Sequence, residues 1–301
     1  MSADRLVLAT RRSALALAQA RAFARDLVAR HPGLVVEELH VVTTGDKITD
    51  VPLAKVGGKG LFTKEIEDAL DRKEADFAVH SFKDVPAELA ERFVVACVPR
   101  REDARDVLVS KSGAKLAGLP AGARIGTSSL RRAIQLSLSR PDLSVVPLRG
   151  NVDTRLRKLD AGEVDAIVLA RAGLLRLGLA DRVTETIDAR AVIPAPGQGA
   201  LAVECRAGDA VTSAILAALS DPETEIAVAC ERGVMAAVGG NCNVPFGAHA
   251  WRAAGGLELR AVLSDADGSH IRRTTRSVPW PDSAQYAAEV GREAGKSLLE
   301  T

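Results

Sequence analysis

Two reactive side chains in this sequence sit where packing does not explain them. Cys242 lies in Gly239-Gly240-Asn241-Cys242-Asn243-Val244-Pro245, a run of turn formers rather than of strand or helix interiors. A thiol held on an exposed turn is open to covalent chemistry. Cys97, Cys205 and Cys230 instead lie within apolar runs and read as small buried hydrophobes. Lys83-Asp84 follows the apolar run Phe77-Ala78-Val79, at the carboxyl end of an expected strand. That is where open α/β sheets bind ligands. Arg11, Arg131, Arg132, Arg149 and Arg155 recur beside turn signals. Any one of them could be a solvated surface charge. As a set at equivalent strand ends they suit a ligand with several carboxylates, which guanidinium groups grip in bidentate fashion.

These residues need a frame, and the sequence repeats one. Strand Leu6–Ala9 precedes a helix from Ala14 to about Ala29 that Ser13 can cap. His31-Pro32-Gly33 stops it, and strand Leu34–Leu39, helix Phe62–Asp71 and strand Ala75–His80 follow. The order returns as strand Arg124–Gly126, the cap Thr127-Ser128-Ser129, helix Leu130–Ser139, a stop at Arg140-Pro141, strand Leu143–Leu148, helix Val152–Leu159 and strand Val164–Leu169. Pro32 and Pro141 are 109 residues apart, Asp76 and Asp165 89 apart. The difference mostly reflects a longer loop, 43–60, in the first half. The pattern predicts a duplicated α/β unit with mainly parallel sheets covered on both faces. Ser13 and Ser129 then stand at helix N-termini, which favour anions. Pro99–Asp103 and Val192–Gly199 read as the two crossings between lobes. From Asp221 the pattern changes to a helix, Glu225–Val238, three strand-like runs with an Asp267-Gly268 hairpin signal, and a last helix, Ser283–Leu299. The expected domains are 1–99 with 200–218, then 104–193, then 221–301.

Composition excludes several classes. With 301 residues the chain can hold two or three domains. Hydrophobic residues at 47% and charged residues at 26% describe an ordinary soluble protein. A net charge of +1 and 3% aromatics argue against a nucleic-acid binder. No apolar run reaches membrane-spanning length. Met1-Ser-Ala-Asp-Arg-Leu does not begin like a secretory signal, and four cysteines without framework spacing fit a reducing cytoplasm. The five histidines have no zinc-motif spacing, so no metal is expected. Gly57-Gly58-Lys59 lacks the rest of a Walker pattern. The 43–60 loop reads instead as a lid carrying Lys55 and Lys59.

Nine segments together resemble the porphobilinogen deaminase (hydroxymethylbilane synthase) family. They are Ala9–Ala16, Pro52–Phe62, Ala78–Pro86, Gly126–Arg132, Leu148–Val152, Ala172–Leu174, Arg176–Gly178, Gly197–Ala200 and Gly240–Pro245. They run in family order over nearly the whole chain.

The resemblance implies two periplasmic-binding-protein-like doubly wound lobes plus a small C-terminal α+β domain with an antiparallel sheet. It implies a monomeric enzyme that joins four porphobilinogen molecules head to tail, with loss of ammonia, to give 1-hydroxymethylbilane. It also implies a dipyrromethane primer attached by a thioether to Cys242. Asp84 is then the catalytic carboxylate, beside the cationic azafulvene left when the amine departs. Cofactor contacts fall to Ser81, Lys83, Asp84, Thr127, Ser128, Ser129, Arg131, Arg132 and Gly150. Substrate contacts fall to Arg11, Ser13, Lys55, Lys59, Phe62, Arg149, Arg155, Arg176, Gln198 and Gly199. The cysteine turn departs from the family's usual Gly-Gly-Cys-Gln-Val-Pro, Phe82 replaces the common Met or Leu, and Arg171 stands at a usually small or apolar position. Arg171 is expected to add a carboxylate contact or to face solvent. The competing readings are a two-lobed polycarboxylate-binding module and a thiol hydrolase. The hydrolase lacks an evident His–Asp set: His249 is seven residues from Cys242, but no spacing argument pairs the two.

Overall fold

The computed structural model describes residues 4–47, 63–240 and 244–300. Its strands are β1 (Arg5–Arg11), β2 (Val35–Val41), β3 (Phe77–Ser81), β4 (Phe93–Cys97), β5 (Asp106–Ser110), β6 (Arg124–Gly126), β7 (Ser144–Val146), β8 (Ala166–Ala170), β9 (Glu185–Thr186), β10 (Leu201–Arg206), β11 (Phe246–Ala253), β12 (Gly256–Leu263) and β13 (Arg272–Val278). The α-helices are α1 (Ala14–Arg30), α2 (Thr44–Lys47), α3 (Lys64–Asp71), α4 (Leu130–Ser139), α5 (Val152–Asp160), α6 (Arg171–Arg176), α7 (Ala210–Ala217), α8 (Pro222–Ala237) and α9 (Ala284–Leu299). The chain divides into two compact units, Met1–Arg101 with Ala200–Glu225, and Glu102–Gly199 with Ile226–Thr301.

The first unit holds a five-stranded sheet in the order β2-β1-β3-β10-β4. Alternation along its strands sends residues to both faces. Leu6, Leu8, Phe77, Val79, Val203 and Cys205 share a core with Ala20, Phe23 and Leu27 of α1 and Leu216 of α7. Ala9 and Ala78 pack on the other side with Ile66 and Leu70 of α3. Ser13 caps α1, its hydroxyl accepting from the Ala16 N–H at 3.3 Å.

The sheet of the second unit runs β7-β6-β8-β5-β9. Its faces separate in the same way. Leu108, Ile125, Ala166 and Val168 pack with Leu136 of α4. Val107, Val109, Ile167 and Leu169 pack with Leu156 and Leu159 of α5 and Leu174 of α6. Strand for strand, this order matches the first sheet, including the sense of every pairing.

Local details repeat as well. The Asp76 carboxylate accepts from the Val7 N–H at 2.8 Å, and the Asp165 carboxylate from the Arg124 N–H at 2.7 Å. In each case the return bond runs from the aspartate N–H to the same partner's carbonyl. Lys73 and Gly162, also 89 apart, both take positive φ, at 59° and 80°, just past the helices α3 and α5.

The expectation of mainly parallel sheets needs correction. β10 runs antiparallel to β3 and β4, and β5 antiparallel to β8 and β9. β5 and β10 are the first strands after the two crossings. Each enters its sheet directly rather than through a crossover helix, and only a βαβ return imposes a parallel direction.

The second unit also contains an antiparallel sheet, β11-β12-β13. Ala248, Ala250, Leu257, Leu259, Ala261 and Leu263 form a separate core with Cys230 and Val234 of α8 and Ala287, Val290, Ala294 and Leu298 of α9. The helices meet through glycine. A Cβ on Gly291 would overlap the Cys230 carbonyl oxygen, and one on Gly233 would overlap that of Ala288. Helix propensity alone favours Gly291→Ala by about 1 kcal/mol. The backbone overlap reverses that sign, since overpacking typically costs about 1–3 kcal/mol and a carbonyl cannot turn aside as a side chain can. Gly291→Ala is therefore expected to lower the urea unfolding midpoint; an unchanged or raised midpoint would show that the helices separate freely.

Candidate active site

In the first unit Asp84 ends a single 3₁₀ turn, Phe82–Asp84, that follows β3 directly. The turn is anchored from below. Phe82 and Val85 are buried, the Phe82 N–H donates to the Ala200 carbonyl at 3.0 Å, and Val85 N–H donates to the Phe82 carbonyl at 3.1 Å. Lys83 and Asp84 are left exposed. The unusual Phe82 is thus a packing residue, as its chemistry suggests. Ser81 exchanges hydrogen bonds with the Gln19 side chain of α1 at 3.0 and 3.2 Å. Arg11 ends β1, and Ser13 is occupied as the α1 cap.

Beneath this turn lies a pair that the motifs did not single out. His80 Nε2 lies 2.8 Å from Glu204 Oε2, with both side chains almost wholly buried. The contact lacks aligned hydrogen-bond geometry. Burial pushes the nearby Glu67 carboxyl upward. A glutamate within the otherwise apolar run Leu201–Cys205 was the available signal, because an unpaired carboxylate there would be costly.

In the second unit Arg131 and Arg132 converge on one carboxylate. Asp106 is fully buried; Arg132 Nε and Nη2 donate to its Oδ1 at 3.0 and 2.8 Å, and Arg131 Nη1 lies 2.8 Å from its Oδ2. Burial alone would raise the Asp106 carboxyl, but the two guanidinium groups outweigh it and hold the group well below the carboxylate range. Arg132 also donates to the Val168 carbonyl and the Gln198 amide oxygen, and Arg131 to the Ile193 carbonyl. Gln198 returns its amide N–H to Asp106 and to the Ala104 carbonyl. These three predicted ligand contacts thus form one buried network. Asp106 is its centre, and no motif pointed to it.

The hydroxyls before α4 are engaged locally. Thr127 Oγ1 accepts from the Ser129 N–H, Ser128 donates to the Leu148 carbonyl at 2.9 Å, and Ser129 caps α4 by accepting from the Arg132 N–H. Arg155 Nε donates to the Gly150 carbonyl at 2.7 Å and Arg176 Nη2 to the Gly199 carbonyl at 2.7 Å. Gly199 has φ +89°, and a Cβ there would overlap the Glu102 carbonyl oxygen, so only glycine fits.

Guanidinium groups crowd here. Burial, reinforced by the neighbouring Arg132 and Arg149 charges, pushes Arg155 down to about 10. Burial also lowers Arg176, against the attraction of Glu102. Arg232 on α8 is pushed by burial to about 10; the adjacent charges Glu231-Arg232 in an otherwise small and apolar stretch of helix were the overlooked cue. Arg171 neither awaits a ligand nor faces solvent freely, since it pairs with Asp103 at 3.2 Å and donates to Thr186.

The described cysteines behave as expected. Burial pushes Cys97 and Cys205 up to about 11 and Cys230 up to about 12. Their thiolate fractions at neutral pH are negligible. Iodoacetamide at pH 7 is expected to leave all three unlabelled in the folded protein and to label them in urea; peptide mapping that finds any of them alkylated in the native state would contradict this. Cys242, Lys55, Lys59, Phe62 and most of the expected 43–60 lid lie outside the described residues. Among the described residues no cluster suited to a metal ion occurs, and no helix is long and apolar enough to cross a membrane.

Comparison with known proteins covers nearly all of this chain. Residues 6–214 match the family model "Porphobilinogen deaminase, dipyromethane cofactor binding domain", and residues 225–300 match "Porphobilinogen deaminase, C-terminal domain". The porphobilinogen deaminase of Sorangium cellulosum is 57% identical over 293 residues, covering 97% of this chain and 98% of that protein. That of Syntrophobacter fumaroxidans is 48% identical over 299 residues, covering 99% and 96%. Among solved structures, the methionine binding protein MetQ is similar at a TM-score of 0.45 and 12% identity, covering 72% of this chain and 91% of that one.

Proposed function

The chain belongs to the porphobilinogen deaminase family, and from that premise we propose that Asp84 is its catalytic carboxylate and Cys242 the anchor of its primer. The family's enzyme polymerises porphobilinogen in tetrapyrrole biosynthesis, and its cofactor is a dipyrromethane.

The observation that carries the site reading is Arg155, desolvated and repelled by the neighbouring Arg132 and Arg149 charges. A site that concentrates buried cations stabilises anions when they arrive. Porphobilinogen brings two carboxylates and a dipyrromethane four, so the donor set fits both. When bound, the dipyrromethane supplies the pyrrole carbon that begins chain growth. In the second unit Arg149, Arg155 and Arg176 hold carboxylates of cofactor and substrate, with Gly150, Gly199 and the Thr127–Ser129 turn beside them; in the first unit Arg11, Ser13 and Lys83 serve as carboxylate contacts. Arg131, Arg132 and Gln198 act through position: fixed by Asp106, they hold α4 and add positive potential. Asp84, exposed on a rigidly anchored turn, accepts hydrogen bonds from pyrrole N–H groups. Its charge opposes the positive charge that develops as the amine leaves, and it assists proton movement to that amine. Lys55 and Lys59 belong to a lid and Phe62 is a substrate contact in this reading, and the protein works as a cytoplasmic monomer. The separate core of the C-terminal sheet supports reading 221–301 as a third domain, beside lobes at 1–99 with 200–218 and 104–193.

Intact-protein mass spectrometry tests the anchor. Active protein is expected to carry an adduct the size of a dipyrromethane, mapped to Cys242. Cys242→Ser is expected to lack it and to release no ammonia from porphobilinogen. An active protein of unmodified mass would refute the attachment.

A further inference from the structure

Outside that site, the second unit carries a recess of about 280 Å³, open to solvent and lined by Asp188, Ala189, Arg190, His249, Trp251 and Arg260. None of these residues has a role in the reaction described above. The recess is built by register. His249 on β11 stands directly opposite Arg260 on β12, and Trp251 follows two residues along the same face. The His249 and Trp251 rings stack with centroids 5.4 Å apart and planes 27° from parallel. His249 Nδ1 lies 3.2 Å from the fully buried Glu231 carboxylate, which also accepts the Ala250 N–H at 2.8 Å. The aromatic wall is therefore fixed in place. On the opposite side the Asp188 carboxylate accepts the Arg190 N–H at 2.7 Å and shapes the turn that carries Arg190.

Arg260 is the anomaly. Its guanidinium carbon lies 5.7 Å from the centre of the Trp251 ring. Its Nε is buried yet has no hydrogen-bond acceptor among the described residues. A buried donor without an acceptor costs free energy, and native structures seldom leave a charged one so. The exposed Arg190 flanks the same recess. Two guanidinium groups beside an indole face form a clamp for a carboxylate attached to a flat ring: the cations pair with the carboxylate, and the ring stacks on Trp251. Asp188 at the rim disfavours a second carboxylate and suits a ring N–H.

We propose that this recess is a second ligand site, separate from the catalytic one, for a small aromatic or heteroaromatic monocarboxylate. The probe is pyrrole-2-carboxylate, which carries both features and has no aminomethyl group to react; succinate is the non-aromatic control. With Trp280→Phe, Trp251 is the only indole in the chain and its fluorescence reports the site. Saturable quenching by pyrrole-2-carboxylate but not by succinate is expected. Arg260→Gln should weaken it about tenfold or more, and the surface change Arg190→Gln several-fold, while both variants keep ammonia release from porphobilinogen. Arg155→Gln should leave the quenching unchanged. Arg190→Gln keeps the test valid should Arg260→Gln fail to fold. Absence of saturable quenching, quenching equal for the two acids, quenching unaffected by either variant, or quenching removed by Arg155→Gln would each overturn the proposal.

Discussion

Asp84→Asn is expected to slow ammonia release from porphobilinogen by about 10²–10⁴-fold, the usual worth of a positioned carboxylate in proton transfer, while leaving the fold intact. The substitution keeps the shape of the side chain and removes its charge. Asp84 is exposed, and the anchoring contacts belong to Phe82 and Val85. Stability is therefore expected to change by no more than about 0.5 kcal/mol, as for a surface position. An effect on KM alone would mean that Asp84 only binds. Near-normal turnover would remove it from the mechanism. Steady-state ammonia release measured beside a urea unfolding curve separates these outcomes from simple misfolding.

Asp106→Asn is expected to have the largest effect on stability. Removing one partner of a buried ion pair costs about 3–5 kcal/mol, and here a single carboxylate faces two buried guanidinium groups. Urea denaturation should show a lower midpoint; loss of the whole second unit as a cooperative element is the extreme case. A midpoint within error of the parent would mean that neighbouring carbonyls suffice for Arg131 and Arg132.

The same contact sets a pH dependence. The folded-state pKa of Asp106 lies below its unfolded value, so the unfolded chain binds the proton more readily. Its stabilisation is fully present above the unfolded pKa of about 3.9 and is lost as pH falls further below that value. The difference in unfolding free energy between parent and Asp106→Asn should therefore be constant near neutrality and shrink below about pH 4. A difference that grew on acidification would contradict the assignment.

How much of the site was legible depended on sequence distance. Ser13 and Ser129 were readable as caps because a cap bonds its own helix three residues on. Asp84 was readable because an apolar strand followed by charge marks a strand end. Asp106 was not readable: its partners Arg131, Arg132 and Gln198 come from α4 and the returning crossing, and nothing near Asp106 in sequence announces them. His80 and Glu204 escaped notice for the same reason, being brought together by the pairing of β3 with β10. The thiol behind the primer proposal came from local turn chemistry, and the recess beside Trp251 from cross-strand register alone.

The sequence by itself determined the elements, the duplication, the family segments and the types of reactive group, because capping, alternation and turn formation act between residues close along the chain. Only the tertiary structure decided the direction of β5 and β10 and the burial of Arg131 and Arg132 around Asp106. It alone also crowded Arg155 with its neighbours. Strand direction, desolvation and charge repulsion arise from groups far apart in sequence that share one low-dielectric space, and their energies exist only once the chain has closed around them.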